Sequence, residues 1–475
     1  PGGFLYGSSP LAGVVNVVRK RPLPTDFGAF RVRGGSWGEV EGALDWNESN
    51  ADGDLAVRVN GTVGEGDGWR DRTEQTHVGI NPTLAWSPRE SLRLNFAAEY
   101  ALLENGPDNG IPLLDDRLPD VDRRTSYQSP FDRSEQGVTR FQVDLEYDLG
   151  ERVTIRNKAY YRRLEWLSDG TIFTGVFPDP GTFEPTVGRL LLALDDDQRF
   201  WGNQLEAVAE VATGPVRHRI LGGLELARRD DTYTLQSSCP AGAPGCDFLV
   251  TLPNISLLDP VETATESPTL LPFDQIDPST PGAGDSRATI VAPYVVDQMA
   301  FGERFDLMIG LRHDTIDFQD DVTGADRSDS DLSPMFGAVW KVGSSTALFA
   351  NGGSAFAPAG PRVAGSPEPE ETDQIEFGVR QELPDGFGRL TLAAFRLDRA
   401  NIAILDDNGF SQQQGDQRTD GVELEFAFEP FRNTLALLTY TYMDAELTRF
   451  TEGGVVGFDP NTFEPIFGVL DRSGN

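Results

Sequence analysis

Ser91-Leu92-Arg93-Leu94-Asn95-Phe96-Ala97-Ala98-Glu99-Tyr100 decides the fold. Leu92, Leu94, Phe96, Ala98 and Tyr100 fall on one face of an extended chain, and Ser91, Arg93, Asn95, Ala97 and Glu99 on the other. A period of two belongs to a strand; a helix would scatter these side chains around its axis. The pattern returns in Phe141, Val143, Leu145 and Tyr147 against Arg140, Gln142, Asp144, Glu146 and Asp148. It returns again in Phe305, Leu307, Ile309 and Leu311, and in Val422, Leu424, Phe426 and Phe428. No stretch keeps a helical period.

The connections between these strands carry more information than the strands. Tight turns fall at Ser87-Pro88-Arg89-Glu90, Leu149-Gly150-Glu151, Thr213-Gly214-Pro215, Phe301-Gly302-Glu303, Val342-Gly343-Ser344, Pro384-Asp385-Gly386 and Glu429-Pro430-Phe431. Between them lie long polar segments, roughly 103–136, 167–197, 232–285, 319–330, 355–372 and 402–416, with 447–475 after the last turn. A transmembrane β-barrel alternates short and long connections in this way, and a soluble sandwich has no reason to. The count is about 17 strands, many long enough to cross a bilayer obliquely. Trp86, Tyr100, Tyr147, Tyr161, Trp166, Trp340 and Phe428 fall near strand ends, where interfacial girdles belong. An odd number of strands does not close in the usual bacterial way, so about five more are expected, giving a barrel of about 22. A lumen that wide requires a plug.

Composition is consistent with this. The chain has 475 residues, 75 acidic and 40 basic, for a formal charge of −35. Aromatic content of 10% is too high for a disordered acidic chain, and the acidity argues against a nucleic-acid partner. No run of about 18 uncharged apolar residues exists, which excludes a spanning helix and leaves a barrel open. Cys239 and Cys246 flank a Pro/Gly-rich loop; a disulfide in an oxidising compartment is expected there, the alternative being two unpaired thiols. The chain opens inside a motif and ends on a polar turn, and is expected to be an internal piece of a longer product.

The opening Tyr6-Gly7-Ser8-Ser9-Pro10-Leu11-Ala12-Gly13-Val14-Val15-Asn16-Val17-Val18-Arg19-Lys20-Arg21-Pro22 resembles the end of the plug domain of TonB-dependent outer-membrane receptors. Tyr6, Gly7, Gly13, Asn16, Lys20 and Pro22 carry the match: glycines for tight turns, an apolar strand, and a Pro-ended exit to the barrel wall. Ala292 to Gln298 with Gly310 to Asp314 resembles the family's mid-barrel hairpin. Pro369 to Arg380, and Gly415 to Glu425, resemble two further barrel segments. Gly106 to Pro112 resembles a loop of the ferric-siderophore receptors. The energy-coupling box, most of the plug and the final strands of the family are absent.

The resemblance implies residues 1–22 as the end of a plug and 23–475 as an all-β transmembrane barrel lacking its last strands. It implies a monomer of the bacterial outer membrane, among lipid and lipopolysaccharide. That receptor would take up a ferric siderophore, driven by a TonB-type protein, with no covalent chemistry and no resident cofactor. Arg117, Arg123, Arg124 and Tyr127 in the first very long loop, with Arg163 and Trp166, are the candidate ligand contacts, since Arg forks and aromatic faces suit anionic planar chelates. The competing reading pairs these arginines with Asp115, Asp116, Asp120 and Asp122 in a solvated loop. The acidic runs at Asp195-Asp196-Asp197, Asp320-Asp321 and Glu368 to Glu371 lack the spacing of a calcium loop and suit solvated segments better. Alternatives are cobalamin, another metal chelate or an oligosaccharide as cargo, and a soluble secreted β-rich hydrolase.

Overall fold

The computed structural model describes residues 16–114, 117–241, 248–276, 281–358, 368–405, 411–458, 465–471 and 473–474, and only the backbone of 385, 403–405, 411–414, 451–458 and 465–470. Its first strands are β1 (Phe27–Gly34), β2 (Val40–Ser49), β3 (Leu55–Gly66), β4 (Gln75–Arg89), β5 (Leu92–Asn105), β6 (Arg133–Asp148), β7 (Val153–Pro178), β8 (Pro185–Thr213), β9 (Val216–Ser238), β10 (Ile255–Ser256) and β11 (Leu270–Pro272). They continue as β12 (Ala283–Phe301), β13 (Phe305–Asp320), β14 (Asp326–Lys341), β15 (Thr346–Ala357), β16 (Glu370–Glu382), β17 (Gly388–Leu405), β18 (Ser411–Phe431), β19 (Thr434–Phe458) and β20 (Pro465–Asp471). Helix is confined to single turns at Phe273–Ile276 and Pro384–Gly386 among the described residues.

Seventeen of these strands form one antiparallel wall. Each of β1 to β8 pairs with the next, β9 passes to β12, and the meander runs on to β19. The three short strands are outside it: β10 on β8, β11 on β9, and β20 on the far half of β19. Among the described residues no pairing joins β1 to β19. At the expected turn positions the strands are joined tightly, and Gly150 and Gly214 take φ of 76° and 63°, a conformation open to them because they carry no Cβ.

The two faces of the wall are opposite in character. Phe96, Tyr100, Phe141, Val143, Trp201, Leu224, Leu226, Ile309 and Leu311 all point to one side and are exposed there. Dozens of large apolar side chains in contact with water would be untenable, so this face meets lipid. The opposite face carries Asp45, Asn60, Asn95, Glu99, Arg140, Gln142 and Lys158, which surround a common cavity and form the lumen side. No helix of the described residues is long and apolar enough to cross a membrane; the strands do so instead.

Several expected loops prove to be strand. β7, β8 and β9 run for 26, 29 and 23 residues, where about 10 suffice to cross a bilayer. The segment 167–197 is therefore the upper part of the β7–β8 hairpin, closed by a turn at 179–184. Segments 319–330 and 402–416 are likewise mostly hairpin. Above the bilayer both faces of a strand are wet, so the apolar alternation that marks a strand disappears while the pairing continues.

Candidate functional site

The inner face holds the segment that leads into β1. Lys20 Nζ donates to Asp45 Oδ2 at 2.9 Å and Asn60 Oδ1 at 3.0 Å. Arg58 grips the same Asp45 with two bonds of 2.8 Å and gives a third, at 2.9 Å, to the Arg21 carbonyl. Asn47, 1% exposed, accepts the Leu23 N–H and donates to the Leu23 and Thr25 carbonyls at 2.9 and 2.7 Å. Arg19 reaches Gln142 and Glu99, at 3.3 and 3.6 Å. Residues 16–22 thereby line one side of a cavity of about 1010 Å3 whose other walls are β1 to β7. Of the plug-like motif, Asn16, Lys20 and Pro22 lie here, whereas Tyr6, Gly7 and Gly13 fall outside the described residues.

Higher on the inner wall, cross-strand register assembles a row that no single segment displays. Glu99 is opposite Arg140, Arg140 opposite Arg162, Arg162 opposite Phe200, and Phe200 opposite Arg229. The row continues through Ala288 and Phe318 to Arg327, whose guanidinium sits 4.9 Å above the Phe318 ring. Arg140 is paired with Glu99 at 3.0 Å. Arg162 is exposed into the lumen, feels the charges of Arg140 and Arg229, and has no carboxylate within ion-pair distance among the described residues. On the outer face the neighbouring positions pass here from Tyr161 and Trp201 to the charged Arg163 and Arg199. The row therefore lies at the level where lipid ends and water begins, at the mouth of the lumen.

Below it a second network crosses five strands. Tyr160 donates to Glu225 at 2.9 Å, Arg312 joins Glu225 and Asp314 at 2.8 Å each, and Tyr294 donates to Glu206 at 2.7 Å. Arg312 and Asp314 are almost fully buried. Every charge in this group has a partner, so it braces the wall.

Above the row the long connections fold into a cap with its own core. Tyr127, Val187, Ile255 and Leu257 are buried together, joined by Ile111, Leu114, Phe173 and Val176. Tyr127 donates its hydroxyl to the Leu257 carbonyl at 2.6 Å and meets Phe173 edge-on at 6.1 Å. Arg189, wholly buried, bonds the Tyr127 and Pro253 carbonyls and forks onto Glu262 at 2.7 and 3.2 Å. Burial alone would raise the Glu262 carboxyl; the Arg189 bond, the Ala264 N–H and the charges of Arg189 and Arg72 together hold it below the usual carboxylate range. Arg70 ties Asp108 to the Arg123 and Thr125 carbonyls. Cys239, at the root of the cap, is disulfide-bonded; Cys246 lies outside the described residues.

The expected ligand contacts are thus dispersed. Tyr127 is a core residue of the cap with no exposed surface, so no ligand reaches it without opening the cap. Arg163 points to the outer face, bound to Asp197 at 2.7 Å and Glu165 at 2.9 Å, away from the lumen. Trp166 is on the inner wall, donating to Ser134 at 3.0 Å, and is not a girdle residue. Arg117, Arg123 and Arg124 are exposed on the cap, Arg124 paired with Asp71 at 3.1 Å. Of the acidic runs, Asp197 holds Arg163 and Arg199, Asp320 caps the turn to Val322 and Thr323, and Glu370 pairs with Arg399 at 2.9 Å. Among the described residues no group of three or more His, Cys, Asp or Glu side chains is placed to hold a metal ion. The Arg140-Arg162-Phe200-Arg229 row was invisible in sequence because it depends on register across four strands.

Known proteins share this architecture. The description "TonB dependent receptor-like, beta-barrel" matches residues 68–468. The metal-pseudopaline receptor CntO of Pseudomonas aeruginosa is 25% identical across 94% of the chain, which spans 63% of that relative's length. The crystal structure of the siderophore receptor PiuA from Acinetobacter baumannii superposes with a TM-score of 0.82 at 20% identity, over 100% of this chain and 70% of that one. The ferric-catecholate import receptor Fiu of E. coli K12, in its closed form, gives 0.80 at 21% identity, over 96% and 69%. With the matched region covering most of its length, the chain belongs to the TonB-dependent receptor-like β-barrel family of the outer membrane.

Proposed function

We propose that this chain forms the wall and mouth of a receptor that carries a ferric siderophore into the periplasm, with residues 1–22 as the end of the plug and 23–475 as the barrel. The observation behind this is the inner face: a polar lumen in which a basic segment, Arg19 to Arg21, is clasped by Asp45, Arg58, Asn60 and Glu99 beneath a folded cap. A pore for passive diffusion has no use for a segment bonded along the inside of its wall. A receptor that is opened by force needs one, held by many weak polar bonds that break one after another. The pulling partner in this reading is a TonB-type protein powered by the inner-membrane proton gradient. Binding and release are the whole task, with no covalent step. A second metal chelate is the runner-up cargo, since one relative is named for metal-pseudopaline.

The test is tryptophan-fluorescence titration of the complete membrane-folded receptor against ferric siderophores, their iron-free forms, cobalamin and oligosaccharides. Submicromolar quenching by a ferric chelate alone supports the proposal. A response to cobalamin or sugar with silence toward iron chelates replaces it.

A further inference from the structure

We infer that Arg140, Arg162, Phe200 and Arg229 form a subsite of the inner wall that grips an anionic chelate carrying planar ring or carboxylate donors, in preference to a neutral or cationic one. The inference rests on the metal-chelate reading above and adds the charge class of the cargo.

Three observations carry it. The row stands against composition: in a chain with nearly two acids for every base, the register collects four arginines and two phenylalanines in one rank. Arg140 has Glu99 at 3.0 Å and Arg229 has Asp231 at 4.0 Å, whereas Arg162, exposed between them, has no carboxylate within ion-pair distance among the described residues and is the member open to an anion. Like charges held this close repel, and an anion bridging them relieves that repulsion. The third observation is shape. Strands lie about 4.8 Å apart, so Arg140 to Arg229 spans about 14 Å, enough for one chelate. Phe200 presents a ring between Arg162 and Arg229, set against the Tyr160 ring at 5.5 Å, and the small Ala288 follows Arg229 in the rank. Planar guanidinium forks on either side of an aromatic face suit an anion with flat donors, because the fork bonds its oxygens while the ring stacks.

Glu99 gives the rank a graded strength. It accepts Arg140 at 3.0 Å and faces Arg19 of the plug segment at 3.6 Å. While Arg19 holds part of its charge, Arg140 is free to share itself with a ligand.

The probes are a ferric tris-catecholate, a ferric citrate and a neutral ferric trihydroxamate, titrated into the complete receptor in lipid at two salt concentrations. The expected result is tighter, salt-sensitive binding of the two anions. Arg162→Gln should weaken them by about tenfold or more and leave the trihydroxamate within about twofold, as expected for loss of one charge-assisted contact. Phe200→Leu, which keeps the apolar volume, should weaken the catecholate more than the citrate. Preference for the neutral chelate, or equal loss of all three in Arg162→Gln, overturns the inference and leaves metal-chelate uptake standing. Binding of none of the three by a correctly folded receptor overturns the uptake reading itself.

Discussion

Arg189 shows what one residue does for the cap and why sequence did not reveal it. It sits within 167–197, which the sequence reads as a long polar connection, and its partners come from Tyr127, Pro253 and Glu262, between 62 and 73 positions away. Removing one member of a buried pair strands the other, at a cost of about 3–5 kcal/mol. Arg189→Leu is therefore expected to loosen the cap, seen as rapid chymotryptic cleavage at 248–272 in the lipid-embedded receptor. The double variant with Glu262→Leu should recover much of the resistance, because no unpaired charge remains. The same pair sets an acid limit. Glu262 is held below its ordinary range in the folded cap, so its contribution is complete above the unfolded value of about 4.3 and is lost as pH falls through the lower folded value. A spin label at Leu258→Cys should stay immobile from pH 7 to pH 5 and gain mobility only in stronger acid. Mobility gained between pH 7 and pH 5 would contradict the Arg189–Glu262 account.

At the scale of elements, the strands were legible and their upper ends were not. Alternation is a signal of having one face in lipid, so it marks the strand only as far as lipid extends; β8 continues through Asp195 to Pro185 without it. Residues 16–22 carried a plug-like motif in the sequence, but their seam with the wall needed Asp45, Asn47, Arg58 and Glu99 brought together from three strands. The seam's members differ in weight. Asn47 is buried and makes three bonds, whereas the Lys20 side chain is 59% exposed. Asn47→Ala should cost the seam about 1–3 kcal/mol and Lys20→Ala at most about 1 kcal/mol. A spin label at Val18→Cys would report this as clearly higher mobility in the first variant only. Glu99 joins seam to subsite. Glu99→Gln should mobilise the same label and yet tighten anionic chelates severalfold, since it frees Arg140 from its carboxylate. Looser seam and weaker binding together would separate the two roles assigned to it.

For the molecule as a whole, the decisive property is which face is turned outward, and here ten residues of sequence were sufficient. Ser91 to Tyr100 displayed two faces of opposite character, and the wall turns the apolar one out at Phe96 and Tyr100 and the polar one in at Asn95 and Glu99. That inversion of the usual globular order follows from the solvent: hydrocarbon surrounds the molecule and water fills it. The identity of facing neighbours was not legible, because alternation fixes parity but not register. The inversion also predicts opposite tolerance to charge at two positions on the two faces of the wall. Ile309, 47% exposed on the outer face of β13, should resist replacement by Arg at a cost of about 2–4 kcal/mol if it lies near the bilayer midplane. Thr391, on the inner face of β17 between Arg380 and Glu425, should accept Arg at a much smaller cost, because water and the Glu425 carboxylate receive it. Urea titration of both variants in lipid vesicles, followed by the heat-dependent gel shift of folded barrels, measures the two costs side by side. Equal costs would mean that the outer face is not in hydrocarbon, and the barrel would have to be turned inside out.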